Sequence, residues 1–351
     1  MVIVLPATYG LEMALQGCES VFACSCPRNL GQVAGNTQMM LTLVPIDFET
    51  LTARFSRILW FPTSIAGNQG YHVNKSIMLK RLLANPLGRW VLVPYRAKTA
   101  LISCLAPCFR ILPWLVRSRE LTNYTYEYSP LAQTAAVHLA ALVTGKPMEL
   151  MMNYATELRN DGQLHRHVAE MTAGSAYRHF ADPQFKPGRR LFYYLLVRAV
   201  KPGVVVEAGL DKGLGACIIG AALLRNAAEG SPGKYYGLTL LAEADAFLYG
   251  APYDSQGELV MGDSVDILGK AGPNIDIFIH DTTNNPAHEQ AQFKALQPRL
   301  AEGAIVLSTW FTEKFAEFAH QSGLAVLTFH ETPVGHWYPG GKIALAFRSK
   351  H

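Results

Sequence analysis

A glycine-rich segment in the second half of the chain carries the clearest chemical signal. It runs from Val206 to Gly215, holds Glu207 followed by glycines spaced Gly-x-x-x-Gly-x-Gly, and separates a β-branched run from a helical pattern. Glycines let such a turn approach a ligand closely, and the helix behind it offers free N–H groups. The spacing differs from the dinucleotide pattern Gly-x-Gly-x-x-Gly. Glu207 would repel a pyrophosphate, so the segment suits a ligand with a positive amine and a sulfonium.

Five further motifs accompany this turn. They are Asn123-Tyr124-Thr125-Tyr126, Arg189-Arg190 with Tyr194, Gly262-Asp263-Ser264, Ile279-His280-Asp281 and His336-Trp337-Tyr338-Pro339-Gly340. With the turn, they make the chain from about residue 123 onward resemble class I S-adenosylmethionine-dependent methyltransferases. The resemblance is greatest to a bacterial branch with a helical region ahead of the catalytic domain.

The resemblance implies a role for each motif, with S-adenosylmethionine as the cofactor. The turn and its acid would hold the methionine end, the motif after the third strand would meet the adenine, and the tyrosines would lay aromatic faces against the sulfonium. The expected cofactor-binding residues are Tyr124, Glu207, Gly209, Asp211, Gly213, Gly215, Thr239, Asp263 and Ser264. A turn or helix-cap role is the alternative for Asp263, and core packing explains one of the two tyrosines equally well.

The expected catalytic residues are Asp281, His336 and Tyr126. Asp281 ends the fourth strand, where such enzymes place a catalytic or metal-binding carboxylate, and structural capping is its alternative. His336 or Asp281 would take a proton from the acceptor, and His280 is a further histidine of suitable intrinsic pKa. A structural role is the interpretation for His280.

The chain departs from the family at two sites. Thr239 stands where the second strand normally ends in a ribose-binding acid, and Glu243 is close enough to substitute. Acids expected near the fourth and fifth strands are replaced by Thr282-Thr283 and by Ser308-Thr309-Trp310. A hard divalent cation needs several oxygen ligands, usually including carboxylates, so no metal site is predicted.

Three functional hypotheses remain open. The first is a metal-independent methyltransferase that acts on a small-molecule acceptor in secondary metabolism. The second is a cyclase of the azetidine-2-carboxylate synthase type, which consumes the cofactor itself and releases methylthioadenosine. The third is a methyltransferase-like binding protein without turnover, motivated by Thr239 and Ser308.

The elements that must position these residues form an α/β pattern. From Lys201 onward, short apolar runs alternate with helical segments, which predicts a parallel, Rossmann-like sheet with helices on both faces. The last two runs, Ala325 to Phe329 and Ile343 to Phe347, predict an antiparallel C-terminal edge. A mainly helical N-terminal region precedes this sheet, with helices over Pro130 to Leu142 and Met148 to Leu158.

We predict three regions: residues 1–45 as a poorly ordered or packed extension, 46–185 as a helical substrate or lid region, and 186–351 as the catalytic domain. Prolines between residues 47 and 116 predict short helices joined by turns. The apolar stretch from Thr99 to Phe109 is shorter than the roughly 20 residues that a spanning helix needs, so no membrane span is predicted.

The composition of the chain limits the kinds of binding partner that we expect. Of 351 residues, 17% are charged and the formal net charge is +4, without long basic runs, so a nucleic-acid partner is not expected. Six cysteines form no zinc-type pattern and suggest a reducing, cytoplasmic compartment. The expected partners are a small-molecule substrate or the cofactor itself, and the helical region would allow a homodimer.

Overall fold

The computed structural model describes residues 88–121, 124–240, 246–270, 272, 274–282 and 285–348. The chain divides into two compact units, Met1–Leu79 and Lys80–His351, and every described residue belongs to the second unit. The predicted extension over residues 1–45 lies outside the described residues. So does Glu243, the predicted substitute for the ribose-binding acid.

Helices and strands alternate through the described residues, as the sequence predicts. The helices are α1 (Gly88–Arg117), α2 (Pro130–Thr144), α3 (Met148–Arg159), α4 (Gly162–Gly174), α5 (Leu191–Val200), α6 (Leu214–Ala228), α7 (Ser264–Lys270), α8 (Pro286–Leu296) and α9 (Glu313–Gln321). The strands are β1 (Glu127–Tyr128), β2 (Val204–Ala208), β3 (Lys234–Thr239), β4 (Gly257–Met261), β5 (Ile275–His280), β6 (Leu300–Ser308), β7 (Ala325–His330), β8 (Pro333–Val334) and β9 (Lys342–Phe347).

The main sheet has seven strands among the described residues, in the order β4-β3-β2-β5-β6-β9-β7. Strands β2 to β6 pair in parallel, whereas β9 runs antiparallel to both of its neighbours, β6 and β7. This confirms the Rossmann-like sheet and its antiparallel C-terminal pair. The strand order reverses between β2 and β5, and ligands of open α/β sheets bind at the carboxyl ends of strands beside such a reversal.

Both faces of the sheet are covered by helices. Neighbouring residues of a strand point to opposite faces. Val205 and Ile277 therefore join the core that includes α2, α5 and α6, whereas Val206 and Phe278 join the core that includes α8 and α9. The β-branched runs seen in the sequence are strands buried on two sides, which is typical of parallel sheets.

The helical region before the sheet has clear local signals at its helix ends. Ser129 caps α2 by accepting the N–H of Ala132, and Gly145 ends that helix in the left-handed conformation with φ 65°. Asp161 caps α4 by accepting the N–H of Leu164 at 2.9 Å. Helices α2 and α3 pack against α5 within the same compact unit as the sheet.

Helix α1 is longer than the sequence predicts. The expected breaks at Pro94, Pro107 and Pro113 do not occur, and the helix is continuous from Gly88 to Arg117. A proline removes one N–H donor and kinks a helix without necessarily ending it. The stretch Arg96–Arg117 is thereby long and apolar enough to cross a membrane by length and composition alone, and no residue of it whose exposure is described is buried.

Candidate active site

The glycine turn follows β2 at the point where the strand order reverses. Gly209 and Gly213 both have φ 86° and Asp211 has φ 47°, all in the left-handed region. A Cβ on Gly209 would lie 2.2 Å from the carbonyl oxygen of Asp281, and one on Gly213 would lie 2.7 Å from Cα of Ala246. Only glycine fits these two positions, so the turn is as tight as the sequence predicts.

Asp211 offers a ligand-binding group within this turn. Its Oδ2 is buried and has no hydrogen-bond partner in the part of the chain that the structure describes, while its main-chain carbonyl accepts the N–H of Ala246 at 2.6 Å. A buried carboxylate oxygen without a partner is costly. A cationic ligand, such as the ammonium group of S-adenosylmethionine, would satisfy it.

Glu207 lies beneath the turn and is fully buried. Its Oε2 accepts the hydroxyl of Tyr235 at 2.6 Å, and a Cβ on Gly215 would lie 2.3 Å from its Oε1. Burial raises the pKa of Glu207 to about 8, so the free protein holds this acid protonated at neutral pH. Its contact with the cofactor stays a prediction.

Asp281 lies beside the turn, at the end of β5, and its carboxylate is fully engaged. Both oxygens accept from the Arg189 guanidinium, at 3.0 and 3.1 Å, and Thr309 and Tyr193 donate hydroxyls at 2.5 and 3.2 Å. Burial alone would raise its pKa, but Arg189, Arg190 and the Thr309 hydroxyl together more than offset this and hold the pKa of Asp281 below its ordinary value. An ionised carboxylate paired in this way is a poor proton acceptor, which argues against its predicted role as a base.

The predicted adenine and ribose residues lie together at the ends of β3 and β4. The carbonyl of Thr239 accepts the N–H of Gly262 at 2.9 Å. Asp263 is exposed and accepts the N–H of Val265 at 2.8 Å, which is the helix-cap alternative noted from the sequence. Ser264 is turned into the core, where its Oγ accepts from Gln292 at 2.6 Å.

An arm between α1 and β1 crosses from the glycine turn to the C-terminal part of the chain. At one end, Glu120 forms a buried ion pair with Lys212 at 2.8 Å. At the other end, Tyr126 and Tyr128 both donate their hydroxyls to Oε1 of Glu331, at 2.6 and 2.8 Å. The arm is thus fixed at both ends by buried carboxylates.

Aromatic rings gather where this arm meets the loop after β8. We call this group the aromatic cluster, and its ring centroids lie 5.3 to 6.4 Å apart between contacting pairs. Its members are Trp114, Tyr124, Tyr126, His336, Trp337 and Tyr338. The cluster adjoins the Arg189–Asp281 pair, because a Cβ on Gly188 would lie 3.0 Å from the ring of Tyr126.

Three ring N–H groups of the aromatic cluster are buried without a partner. Nδ1 of His336 accepts the N–H of Tyr338 at 2.9 Å, so the neutral ring carries its proton on Nε2. Among the described residues, Nε2 of His336 and Nε1 of both Trp114 and Trp337 have no hydrogen-bond partner. Burial lowers the pKa of His336 to about 4, which keeps the ring neutral at pH 7. The structure therefore makes His336 a hydrogen-bond donor, in contrast to the base predicted from the sequence.

The site residues that sequence reasoning missed are the partners of the predicted ones. Arg189 was noted from the sequence in the motif Arg189-Arg190 with Tyr194, but no role at the site was assigned to it. Glu331, Tyr235 and Lys212 had no distinguishing pattern. The structure brings together the turn, Glu207 and Asp281 in one group and Tyr124, Tyr126 and His336 in a second.

Residues 206–308, from β2 to the end of β6, match a family model described as a methyltransferase domain. No curated protein matches the chain. Together with the sheet and the glycine turn, the match identifies this part of the chain as a class I S-adenosylmethionine-dependent methyltransferase domain. Residues 206–308 therefore carry a domain of a transferase class that uses S-adenosylmethionine as its cofactor.

Among solved structures, the chain is similar to a Klebsiella pneumoniae protein assigned as an O-methyltransferase. The two are 16% identical, the match covers 56% of this chain and 96% of that one, and the TM-score is 0.42. It is similar to an O-methyltransferase of Bacillus cereus in complex with S-adenosylhomocysteine, with 14% identity, 56% and 96% coverage and a TM-score of 0.39. It is also similar to TomG, an O-methyltransferase of Streptomyces achromogenes involved in tomaymycin synthesis, with 14% identity, 54% and 91% coverage and a TM-score of 0.39.

Proposed function

We propose that this enzyme transfers a methyl group to an oxygen of an aromatic small molecule, without a metal ion. The observation that carries the proposal is the aromatic cluster, which presents three unpartnered N–H donors beside the Arg189–Asp281 pair. An aromatic acceptor would pack against these rings, and its oxygen atoms would accept from the donors. When bound, the cofactor supplies an electrophilic methyl group on its sulfonium.

The chain contributes positioning to this reaction. Asp211 would receive the positive amine of the cofactor, and the glycine turn permits its close approach. Nε2 of His336 would donate to an oxygen of the acceptor and orient it. Holding two reactants in a fixed geometry supplies much of the rate of a transfer between them.

The surroundings of Asp281 support the proposed metal independence. Arg189 occupies both carboxylate oxygens, and its charge stands where a divalent cation would otherwise compensate the acid. The described residues contain no group of three or more histidine, cysteine, aspartate or glutamate side chains that would hold a metal ion.

The test is an assay of the full-length protein with S-adenosylmethionine and a panel of hydroxylated aromatic compounds, followed by mass spectrometry. We expect S-adenosylhomocysteine and a methylated ring compound, at a rate unchanged by a chelator. Methylthioadenosine formed from the cofactor alone would instead indicate the cyclase. Activity that a chelator removes and magnesium restores would contradict metal independence.

We expect Asp211→Asn to weaken cofactor affinity roughly 10- to 100-fold, because a charge-assisted hydrogen bond is worth about 1.5–3 kcal/mol. Calorimetric titration of S-adenosylmethionine measures this. Asp266→Asn, an exposed carboxylate on α7, is the matched control and should bind normally. Equal affinity in both variants would remove Asp211 from the cofactor site.

A further inference from the structure

Helix α1 exposes a continuous apolar surface. With about 100° of rotation per residue, seven large apolar side chains fall within an arc of about 140°. They are Leu101, Ile102, Leu105, Phe109, Leu112, Leu115 and Val116, and each is at least 43% exposed. Soluble proteins seldom leave so long an apolar surface uncovered, and such surfaces mark interaction sites.

The opposite side of α1 is basic. Arg96, Arg110 and Arg117 are exposed and fall within an arc of about 60°. The sequence from Gly88 to Arg117 holds five basic residues and no acidic one. An amphipathic helix with an apolar side and cationic residues is typical of binding to the interface of a membrane that contains anionic lipids.

We propose that α1 lies in the plane of a membrane surface, with its apolar arc among the acyl chains and its arginines at anionic headgroups. Length alone would also allow α1 to cross a bilayer. Arg110 argues against crossing, because it lies in the interior of the apolar stretch and a charge there is costly at the bilayer centre. Lys98, within the apolar arc near the start of the helix, can extend its ammonium group back to the headgroups.

Trp114 attaches this helix to the enzyme. It lies on the basic side of α1, and its ring centroid is 5.6 Å from that of Tyr124 and 5.4 Å from that of Trp337. The end of α1 is therefore joined to the aromatic cluster, while the apolar arc remains exposed. Docking of α1 on a membrane would bring the aromatic cluster close to the lipid surface, where apolar acceptors partition.

The test is co-sedimentation of the full-length protein with vesicles, without cofactor or acceptor, so that its outcome is separate from the proposed methyl transfer. Vesicles of phosphatidylcholine alone are compared with vesicles that also contain phosphatidylserine. We expect binding to the anionic vesicles that weakens as salt is raised. Arg110→Gln with Arg117→Gln should lower that binding about 25-fold, since each basic residue contributes about fivefold.

Phe109→Glu with Val116→Glu should abolish vesicle binding, because both side chains lie in the apolar arc. Leu131→Glu is the matched control, since Leu131 is 81% exposed but lies on α2. This variant should bind vesicles like the unmodified protein. Three results would overturn the proposal: no binding to anionic vesicles at low salt, unchanged binding of the Phe109/Val116 variant, or a stable dimer that this variant dissociates. The dimer would show that a second copy covers α1.

Discussion

At the scale of single residues, the site is governed by buried acids whose partners differ. Asp281 is ionised because Arg189 and two hydroxyls surround it, whereas Glu207 has only the hydroxyl of Tyr235 and is protonated at neutral pH. The two acids lie at the ends of adjacent strands, yet one is ionised and the other is neutral. Desolvation dominates at Glu207, where Arg189 and Arg190 act without a direct hydrogen bond, whereas the guanidinium of Arg189 bonds Asp281 directly and helps to reverse the effect there.

Glu207 should make the free protein less stable as pH rises. Its pKa is about 8 in the folded protein against an ordinary value of 4.5, so the folded state holds its proton more tightly. The unfolded state ionises first, and stability is lost between about pH 4.5 and pH 8. Glutamine does not titrate, so Glu207→Gln should not lose stability in this way. Between about pH 4.5 and pH 8, urea unfolding should show the free energy of unfolding of the variant rising by a few kcal/mol relative to that of the unmodified protein. A stability difference that is constant with pH would show that Glu207 does not titrate this way.

At the scale of elements, the turn between β2 and α6 depends on glycine for two separate reasons. Gly209 combines a left-handed φ with a close approach to the main chain of Asp281. Gly230, after α6, has nearly the same φ, 81°, and no neighbour within 4 Å of a Cβ. Gly209 and Gly230 therefore share the cost of a left-handed φ, but only at Gly209 would a Cβ also collide with its surroundings.

Gly230→Ala should cost about 1 kcal/mol, which is the strain of a left-handed φ. Gly209→Ala should cost at least about 3 kcal/mol and should also weaken cofactor binding, because the turn must move away from β5. Urea unfolding and calorimetric titration measure the two effects. Similar stability of both variants would mean that the turn yields to a Cβ without moving β5.

Local patterns predicted most of these elements. The β-branched run before Glu207, the glycine turn and the helical pattern over Pro130 to Leu142 are all local signals, and each was found from the sequence. Pairs distant in the chain could not be predicted: Arg189 meets Asp281 across 92 positions, and Tyr126 meets Glu331 across 205. The prediction of short helices in the region of α1 was wrong, because its prolines were taken as ends of helices.

At the scale of the whole molecule, the helical region and the sheet share one compact unit. The boundary between residues 185 and 186 stays a prediction, and α2 and α3 pack on α5 across it. Arg198 on α5 is buried and bonds Glu157 of α3 at 2.8 Å and Glu229 at 2.6 Å. Strong contacts across a boundary couple the stability of the two sides.

Two core substitutions test this coupling. Met151→Ala removes a fully buried side chain of α3, and Leu345→Ala removes one from the interior strand β9. Each should cost about 2–5 kcal/mol, and each should shift one common unfolding transition. The measurement is urea unfolding followed by circular dichroism and by aromatic fluorescence. A separate transition that Met151→Ala alone shifts would instead support independent domains on the two sides of residue 185.

The unpartnered N–H groups of Trp114, His336 and Trp337 have a consequence for selectivity among candidate acceptors. Each pairing gained with an oxygen is worth about 1–3 kcal/mol, or roughly a five- to 150-fold preference over a deoxygenated analogue of the same shape. Flat ring systems of different size would pack against the same side chains of the aromatic cluster. The enzyme is therefore expected to sort its substrates by where their oxygens lie and only weakly by the number of fused rings.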